Sequence, residues 1–339
     1  MGFQQDLSAL ASGEFAPIYL LLGEERYLRE RFKKELEKNI LSPGDEAFNL
    51  LSFDMDQELL QHALNEVEMV SFFGNKKIVY INHPFFLTGE KKKTDLEHDI
   101  KMLLAYLKQP SPDTVLVFNA NYKKLDERKK IVKELKKVAK IIDVSEMSDQ
   151  DTKKYIQQTI SSEGYEITRE AFDLFIYLTD TKLSQMMNEL DKLFLATSVD
   201  KKITKPVIEA LISKSLEHSI FDLLTFVLEG KSESALRLYK ELVLQGEDVI
   251  KINAILISQF RLLLQVKIML DKSYQQANMV DVLKIHPYRV KLSVAQAKKF
   301  SQETLFKVFD NLVENDYKMK TGFMDQKMLF ELFLLNPIF

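Results

Sequence analysis

The sequence predicts an α/β domain followed by an all-α remainder. Three observations carry this. From Pro17 to Val144, short apolar runs alternate with segments whose hydrophobic residues recur at three- and four-residue spacing, as strands and helices do in turn. The runs themselves, such as Ile18-Tyr19-Leu20-Leu21-Leu22, are apolar without alternation, which suits strands of a parallel sheet buried on both faces. Beyond about Asp149 strand-like runs disappear and helical periodicity continues to the end of the chain.

The first strand is expected over 17–23, closed by Gly23, with a helix over 24–39. Strands follow at 49–53, 77–81, 114–119 and 141–144, separated by helices over 57–70, 94–108 and 125–140. Such alternation implies right-handed crossovers and a parallel sheet covered by helices on both faces. One boundary is expected near Val144 and a softer one between Leu211 and Lys214. In the helical part the segment from Val249 to Leu270 is apolar nearly all round, as a helix inside a bundle or against neighbouring subunits is. Met328 to Leu335 is similar.

A chain of 339 residues favours two or three domains and has ample apolar surface for several cores. Its net charge of −3 does not announce a nucleic-acid binder, so phosphate contacts must come from local patches. Cysteine is absent, which removes disulfides, thiolate metal sites and cysteine nucleophiles and suits a reducing cytosol. Met1 to Asp6 lacks the basic region and apolar run of a secretory signal, and Asp6 stands where a myristoylation motif wants Ser or Thr. No apolar run is expected to approach the roughly 18 residues that cross a bilayer. The expectation is a cytoplasmic protein with no membrane partner.

The first strand-to-helix turn is where phosphate binds in many α/β sheets. Here it reads Gly23-Glu24-Glu25-Arg26-Tyr27, without the glycines and the Gly-Lys-Ser/Thr ending of a phosphate loop. Two glutamates suit the helix dipole but repel a triphosphate. The strand Ile78-Val79-Tyr80-Ile81 ends in Asn82-His83, where an ATPase carries an acidic magnesium ligand. Nucleotide hydrolysis by this chain is not expected. The histidines His62, His83, His98, His218 and His286 are scattered, with no i,i+4 pair and no carboxylate at ligand spacing. Asp54 and Asp56 sit two apart, as metal carboxylates do, but two acids after a strand also suit a helix N-cap region. No nucleophile is paired with a base. No catalytic residue, metal or cofactor is therefore expected.

Three stretches invite a binding role. Leu60, Ala63, Leu64 and Val67 form one apolar helix face, from which Phe72 and Phe73 fall at about 120° and 220° if the helix continues. Gly74 is a plausible helix stop. Either the backbone turns after Val70 and folds both rings inward, or they protrude as a hydrophobic plug for a partner. The second stretch crowds Lys123, Lys124, Arg128, Lys129, Lys130, Lys133, Lys136, Lys137 and Lys140 around the apolar stripe Leu125, Val132, Leu135 and Val138. It is either a solvated helix face or a surface for DNA phosphates or an acidic partner. The third comprises His286-Pro287-Tyr288-Arg289-Val290-Lys291 and Asp316-Tyr317-Lys318-Met319-Lys320. Each pairs an aromatic ring with cations, which stacks on a base while neutralising phosphate, though a structural role fits both as well.

Taken together, several motifs resemble one known family along essentially the whole chain. They are Tyr19-Leu20-Leu21-Leu22-Gly23-Glu24-Glu25, Ser71-Phe72-Phe73-Gly74, Glu189-Leu190-Asp191-Lys192-Leu193, Gln259-Phe260-Arg261-Leu262-Leu263, His286-Pro287-Tyr288, and Asp316-Tyr317-Lys318-Met319-Lys320-Thr321-Gly322. Their order and spacing resemble the delta subunit of the bacterial DNA polymerase III clamp loader. The resemblance implies an AAA+-like α/β domain over 1–144 that lacks a functional ATP site at Gly23, Glu24 and Glu25, a helical lid domain over 145–212, and a helical collar domain over 213–339. It implies that Ser71, Phe72, Phe73 and Gly74 contact the sliding clamp (the beta subunit), although a Leu-Phe pair is the better-known form of this tip. It also implies a heteropentamer with the tau/gamma ATPase and delta-prime subunits, and primer-template DNA near Tyr288, Arg289, Lys291, Tyr317, Lys318 and Lys320. Such a chain is not an enzyme on its own but part of a DNA-directed DNA polymerase, a nucleotidyltransferase complex. The alternative is an ATP-binding AAA+ ATPase subunit of a replication or repair complex.

Overall fold

The computed structural model describes residues 2–69, 76–89 and 95–337. The chain divides into two compact units, Met1–Tyr155 and Ile156–Phe339, with the division falling inside one helix.

The first unit runs α1 (Gly2–Ala11), β1 (Ile18–Leu22), α2 (Arg26–Ile40), α3 (Glu46–Asn49), β2 (Leu50–Asp54), α4 (Leu60–Glu68), β3 (Lys77–Asn82), α5 (Ile100–Tyr106), β4 (Thr114–Ala120), α6 (Lys130–Val138) and β5 (Lys140–Asp143). The five strands form one all-parallel sheet in the order β2-β3-β4-β1-β5. They lie where the apolar runs predict them. Ile18, Leu20, Val79, Ile81, Leu116 and Phe118 are buried in one core together with Leu60, Ala63, Leu64 and Val67 of α4, so the apolar face expected of that helix does meet the sheet. Full burial of each such aliphatic side chain contributes about 1.5–3 kcal/mol.

Three helices are shorter than their periodicity suggests, each for a local reason. Before α4, the N–H groups of Gln57 and Glu58 both return to Asp54 O in a tight turn. Asp99 caps α5, its carboxylate accepting from Lys101 and Met102 N–H, which sets the start of that helix at Ile100. Ahead of α6, Lys129 Nζ donates to Phe86 O and Thr88 O while Asp126 holds Arg128, so 125–129 is a turn. Helix α1 was not expected; Phe3, Leu7 and Leu10 bury it against α2 and β5, and Asp6 reaches Lys140 at 3.2 Å.

The second unit continues from α7 (Asp149–Ser162) through β6 (Glu166–Ile167), α8 (Arg169–Leu178), α9 (Leu183–Ala196), β7 (Lys202–Ile203), α10 (Lys205–Leu211), α11 (Leu216–Leu228), α12 (Ser232–Leu244), α13 (Val249–Asp271), α14 (Gln276–Leu283), α15 (Pro287–Ala297), α16 (Gln302–Lys320) and α17 (Gln326–Leu335). Thr168, Ser215, Asp248, Ser301 and Asp325 each accept a backbone N–H at a helix start, so side-chain caps punctuate the bundle. Two expectations need correction. Strands do not stop after Asp149, because β6 and β7 pair in parallel; at two residues each they are too short to leave a periodic trace. Secondly, α13 is long and apolar enough to cross a bilayer by length and composition. Ile252, Leu256, Phe260, Leu263 and Val266 are instead buried in the core that α11, α12, α15, α16 and α17 share with it.

Candidate functional site

The turn after β1 is closed by its own side chains. Gly23 adopts φ +137°, and a Cβ there would lie 2.2 Å from the carbonyl carbon of Val144, so only glycine fits. Glu25 caps α2, its Oε1 accepting the Tyr27 N–H at 3.0 Å, while its own N–H donates to Val144 O. One turn into α2, the buried Arg29 donates through Nη2 to Gly23 O at 2.8 Å and to Asn121 Oδ1, joining the turn to the residue after β4. Burial lowers the guanidinium's pKa, against the pull of the Glu30 and Glu25 carboxylates. A phosphate at this helix N-terminus would compete with Glu25 for the same N–H group and meet its charge. The crevice beyond β1 and β4, about 600 Å³, is lined by Glu24, Tyr122, Lys123, Asp126 and Arg128 among others. Two ion pairs form within it, Lys123 with Glu24 at 3.7 Å and Arg128 with Asp126 at 2.9 Å. Hydrogen bonds from Arg128 hold the Asp126 carboxyl down to about 2.

At the opposite edge of the sheet α4 ends. Ser71, Phe72, Phe73 and Gly74 lie outside the described residues. The end of α4 and the start of β3 lie on either side of them. The buried Lys77, first residue of β3, donates through Nζ to Glu66 O at 2.7 Å and Met69 O at 3.2 Å. Thr114, first residue of β4, donates to Val67 O at 3.0 Å. Arg29 and Lys77 were both missed by sequence reasoning. Arg29 could have been found, since it shares the helical stripe of the buried Phe32 and Leu36; nothing local separates Lys77 from its exposed neighbour Lys76.

Part of the basic stretch is paired. Lys136 pairs with Glu127, Lys137 with Glu134, Lys140 with Asp6, and Lys129 is occupied by backbone carbonyls. The cations proposed for DNA are also partnered. Arg289 meets Glu217 at 3.4 Å, Lys291 lies over the Tyr288 ring, Lys318 meets Glu314 at 2.8 Å and Lys320 meets Asp316 at 2.7 Å. Tyr288 is half-buried against Tyr177, ring centroids 4.8 Å apart. Burial raises its pKa, as do the nearby Asp173, Glu209 and Glu170 carboxylates. Tyr317, by contrast, is 69% exposed.

The fold also corrects the reading of the histidines and of Asp54. Pairing of β2 with β3 brings His83 Nδ1 to 3.1 Å from both carboxylate oxygens of Asp54, and Asp54, Asp56 and His83 each offer a ligand atom within 4.8 Å of the others. A carboxylate therefore does stand at ligand spacing from a histidine, across 29 residues of sequence. Neither aspartate caps α4: His98 does so, its Nδ1 accepting the Leu60 N–H at 3.2 Å while Nε2 lies 3.0 Å from Met55 O. His218 is buried against Tyr177, with Ser215 Oγ 2.8 Å from its Nδ1.

Comparison with known proteins adds the decisive observation. Residues 19–145 match the family described as DNA polymerase III, delta subunit, and residues 217–337 match the DNA polymerase III delta subunit, C-terminal domain. The DNA polymerase III subunit delta of Bacillus subtilis (strain 168) is 37% identical over 97% of this chain and 94% of its own length. The chain belongs to the DNA polymerase III delta subunit family. A probable member from Aquifex aeolicus (strain VF5) is 24% identical over 95% of this chain and 91% of its own. The solved structure of the Bacillus subtilis DNA clamp loader delta protein (YqeN) covers 99% of both chains, with 36% identity and a TM-score of 0.63. The fold class is accordingly the expected one in its layers, a parallel-sheet domain followed by helices, as in that clamp loader delta structure. The first family match spans β1 to β5, and so includes both the Gly23 turn and the α4–β3 connection; the second spans Tyr288 and Tyr317.

Proposed function

We propose that this chain is the non-catalytic subunit of a bacterial replicative clamp loader that binds the ring-shaped sliding clamp and favours its open form for loading onto primed DNA. The observation that carries the reading is the similarity to clamp-loader delta subunits over nearly all of both chains. The Gly23 turn supports it, because Glu25 takes the Tyr27 N–H that a bound phosphate would need and Arg29 is committed to Gly23 O and Asn121. In this reading 1–144 carries the clamp-binding tip, 145–212 is the lid, and 213–339 is the collar that joins the tau/gamma ATPase and delta-prime subunits in a cytoplasmic heteropentamer.

The mechanism is mechanical. ATP bound by sister subunits rearranges the ring so that this subunit presents Phe72 and Phe73. Burying two aromatic rings in a pocket of the clamp supplies about 3 to 6 kcal/mol before ordering costs. Only the difference in affinity between open and closed clamp does the work of opening. Among the aromatic–cation pairs, Tyr317 with Lys320 on α16 is the better candidate for primer-template DNA, since its ring is exposed whereas Tyr288 is half-buried among carboxylates.

The test is the double variant Phe72→Ala/Phe73→Ala. It is expected to keep the wild-type melting temperature and to lose clamp binding. Wild-type affinity in the double variant would remove the assignment.

A further inference from the structure

Helix α4 is held at both ends by side chains of other elements. The last carbonyls of a helix lack intrahelical donors. At the end of α4 three of them, on Glu66, Val67 and Met69, accept from Lys77 Nζ and Thr114 Oγ1, two register partners at the N-terminal edge of β3 and β4. Lys77 and Thr114 are 4% and 1% exposed. An ammonium buried this far is costly unless partnered. It sits against two carbonyls at the negative end of the helix dipole, with the Glu66 carboxylate at 3.9 Å. At the other end His98 takes the Leu60 N–H. Met69 and Lys77 also flank residues 70–75, so one ammonium ties the point where the chain leaves α4 to the point where it returns in β3.

We infer that Lys77, assisted by Thr114, is the positioning residue for the clamp-binding segment. It fixes the end of α4, from Glu66 to Met69, to the first residues of β3 and β4. The inference rests on the reading of 71–74 as clamp-binding.

The experiment measures nucleotide-free affinity of full-length variants for the cognate sliding clamp, together with amide hydrogen exchange over α4. Lys77→Met is expected to weaken clamp binding about tenfold, the scale of losing two charge-assisted hydrogen bonds. Leu103→Ala, in the same core on α5, serves as a control for stability and is expected to bind within about twofold of wild type despite an equal or larger fall in melting temperature. Exchange is expected to rise over 60–69 in Lys77→Met and not in the control. The chain contains no cysteine. Lys77→Cys can therefore be aminoethylated in denaturant at that one position and refolded, restoring an ammonium of lysine length; the modified protein is expected to regain affinity that the unmodified one lacks. If Lys77→Met does not fold, Thr114→Val carries the comparison, with a loss of about threefold. Clamp affinity in the Lys77 and Thr114 variants equal to that of the control overturns the inference, as does a refolded aminoethylated protein no better than its parent. Phe72→Ala/Phe73→Ala separates the two claims: if it binds like wild type the clamp reading fails, whereas if it loses binding while Lys77→Met retains it, only the positioning role fails.

Discussion

The two edges of the parallel sheet are built in opposite ways. At the C-terminal edge, where ligands ordinarily enter α/β folds, Glu25 caps α2 and Arg29 ties Gly23 to Asn121. There Glu25 and Arg29 close on the turn itself. At the N-terminal edge, Lys77 and Thr114 reach out of β3 and β4 to hold the carbonyls where α4 ends. One edge is locked against itself and the other is a mount. In the proposed reading the sheet serves as a frame, used at the edge away from the usual ligand crevice.

The contrast can be broken or sharpened at several points. The largest stability effect is expected at Gly23. Gly23→Ala forces a Cβ into the Val144 backbone at positive φ and is expected to cost about 3 kcal/mol or more, read as a fall in the urea midpoint. Arg29→Met leaves Gly23 O and Asn121 without their buried donor and is expected to cost about 2 to 3 kcal/mol. Both should lower stability with little change in clamp affinity per folded molecule, because the locked edge lies away from α4's end. Smaller again is Glu25→Ala, which removes an N-cap at about 1 kcal/mol. A titration of that variant with ATP should still show no binding; saturable binding would mean that the edge is merely plugged.

A pH effect distinguishes the helical unit from the sheet. Burial lowers the pKa of His218 below its ordinary 6.5, outweighing Asp180, Glu217 and Asp222, which raise it, while Arg289 adds to the lowering. The unfolded chain therefore binds this proton more readily than the folded one. The stability that His218 contributes is present above about pH 6.5 and is lost as pH falls through the depressed folded value. Melting of the wild type is expected to drop between about pH 7 and pH 5 more steeply than that of His218→Gln. Equal slopes would show that this histidine is not the source.

All five strands of the sheet were legible: β1, β3 and β4 as continuous apolar runs such as Ile18 to Leu21, and the shorter β2 and β5 from their place in the alternation of strands and helices. The bundle helices were legible as helices. Lost were features that depend on partners distant in sequence. Lys77 reads as one more lysine until β3 and β4 bring it under α4, and His98 caps Leu60 from 38 residues away. Asp54 and His83 meet only through the register of β2 and β3. The pair β6–β7 is too short to show a period. The rings at Phe72 and Phe73 are a reading of the sequence alone and lie outside the described residues, while Lys77, Thr114 and His98 at the ends of α4 came only from the fold.

The central claim is that the chain engages the clamp through the mounted edge and without nucleotide of its own. It is tested most directly by titrating the purified chain alone with its cognate sliding clamp, with and without ATP. Saturable binding of the same strength in both conditions is the predicted result. Absence of binding without ATP, or affinity that rises when ATP is added, would contradict it.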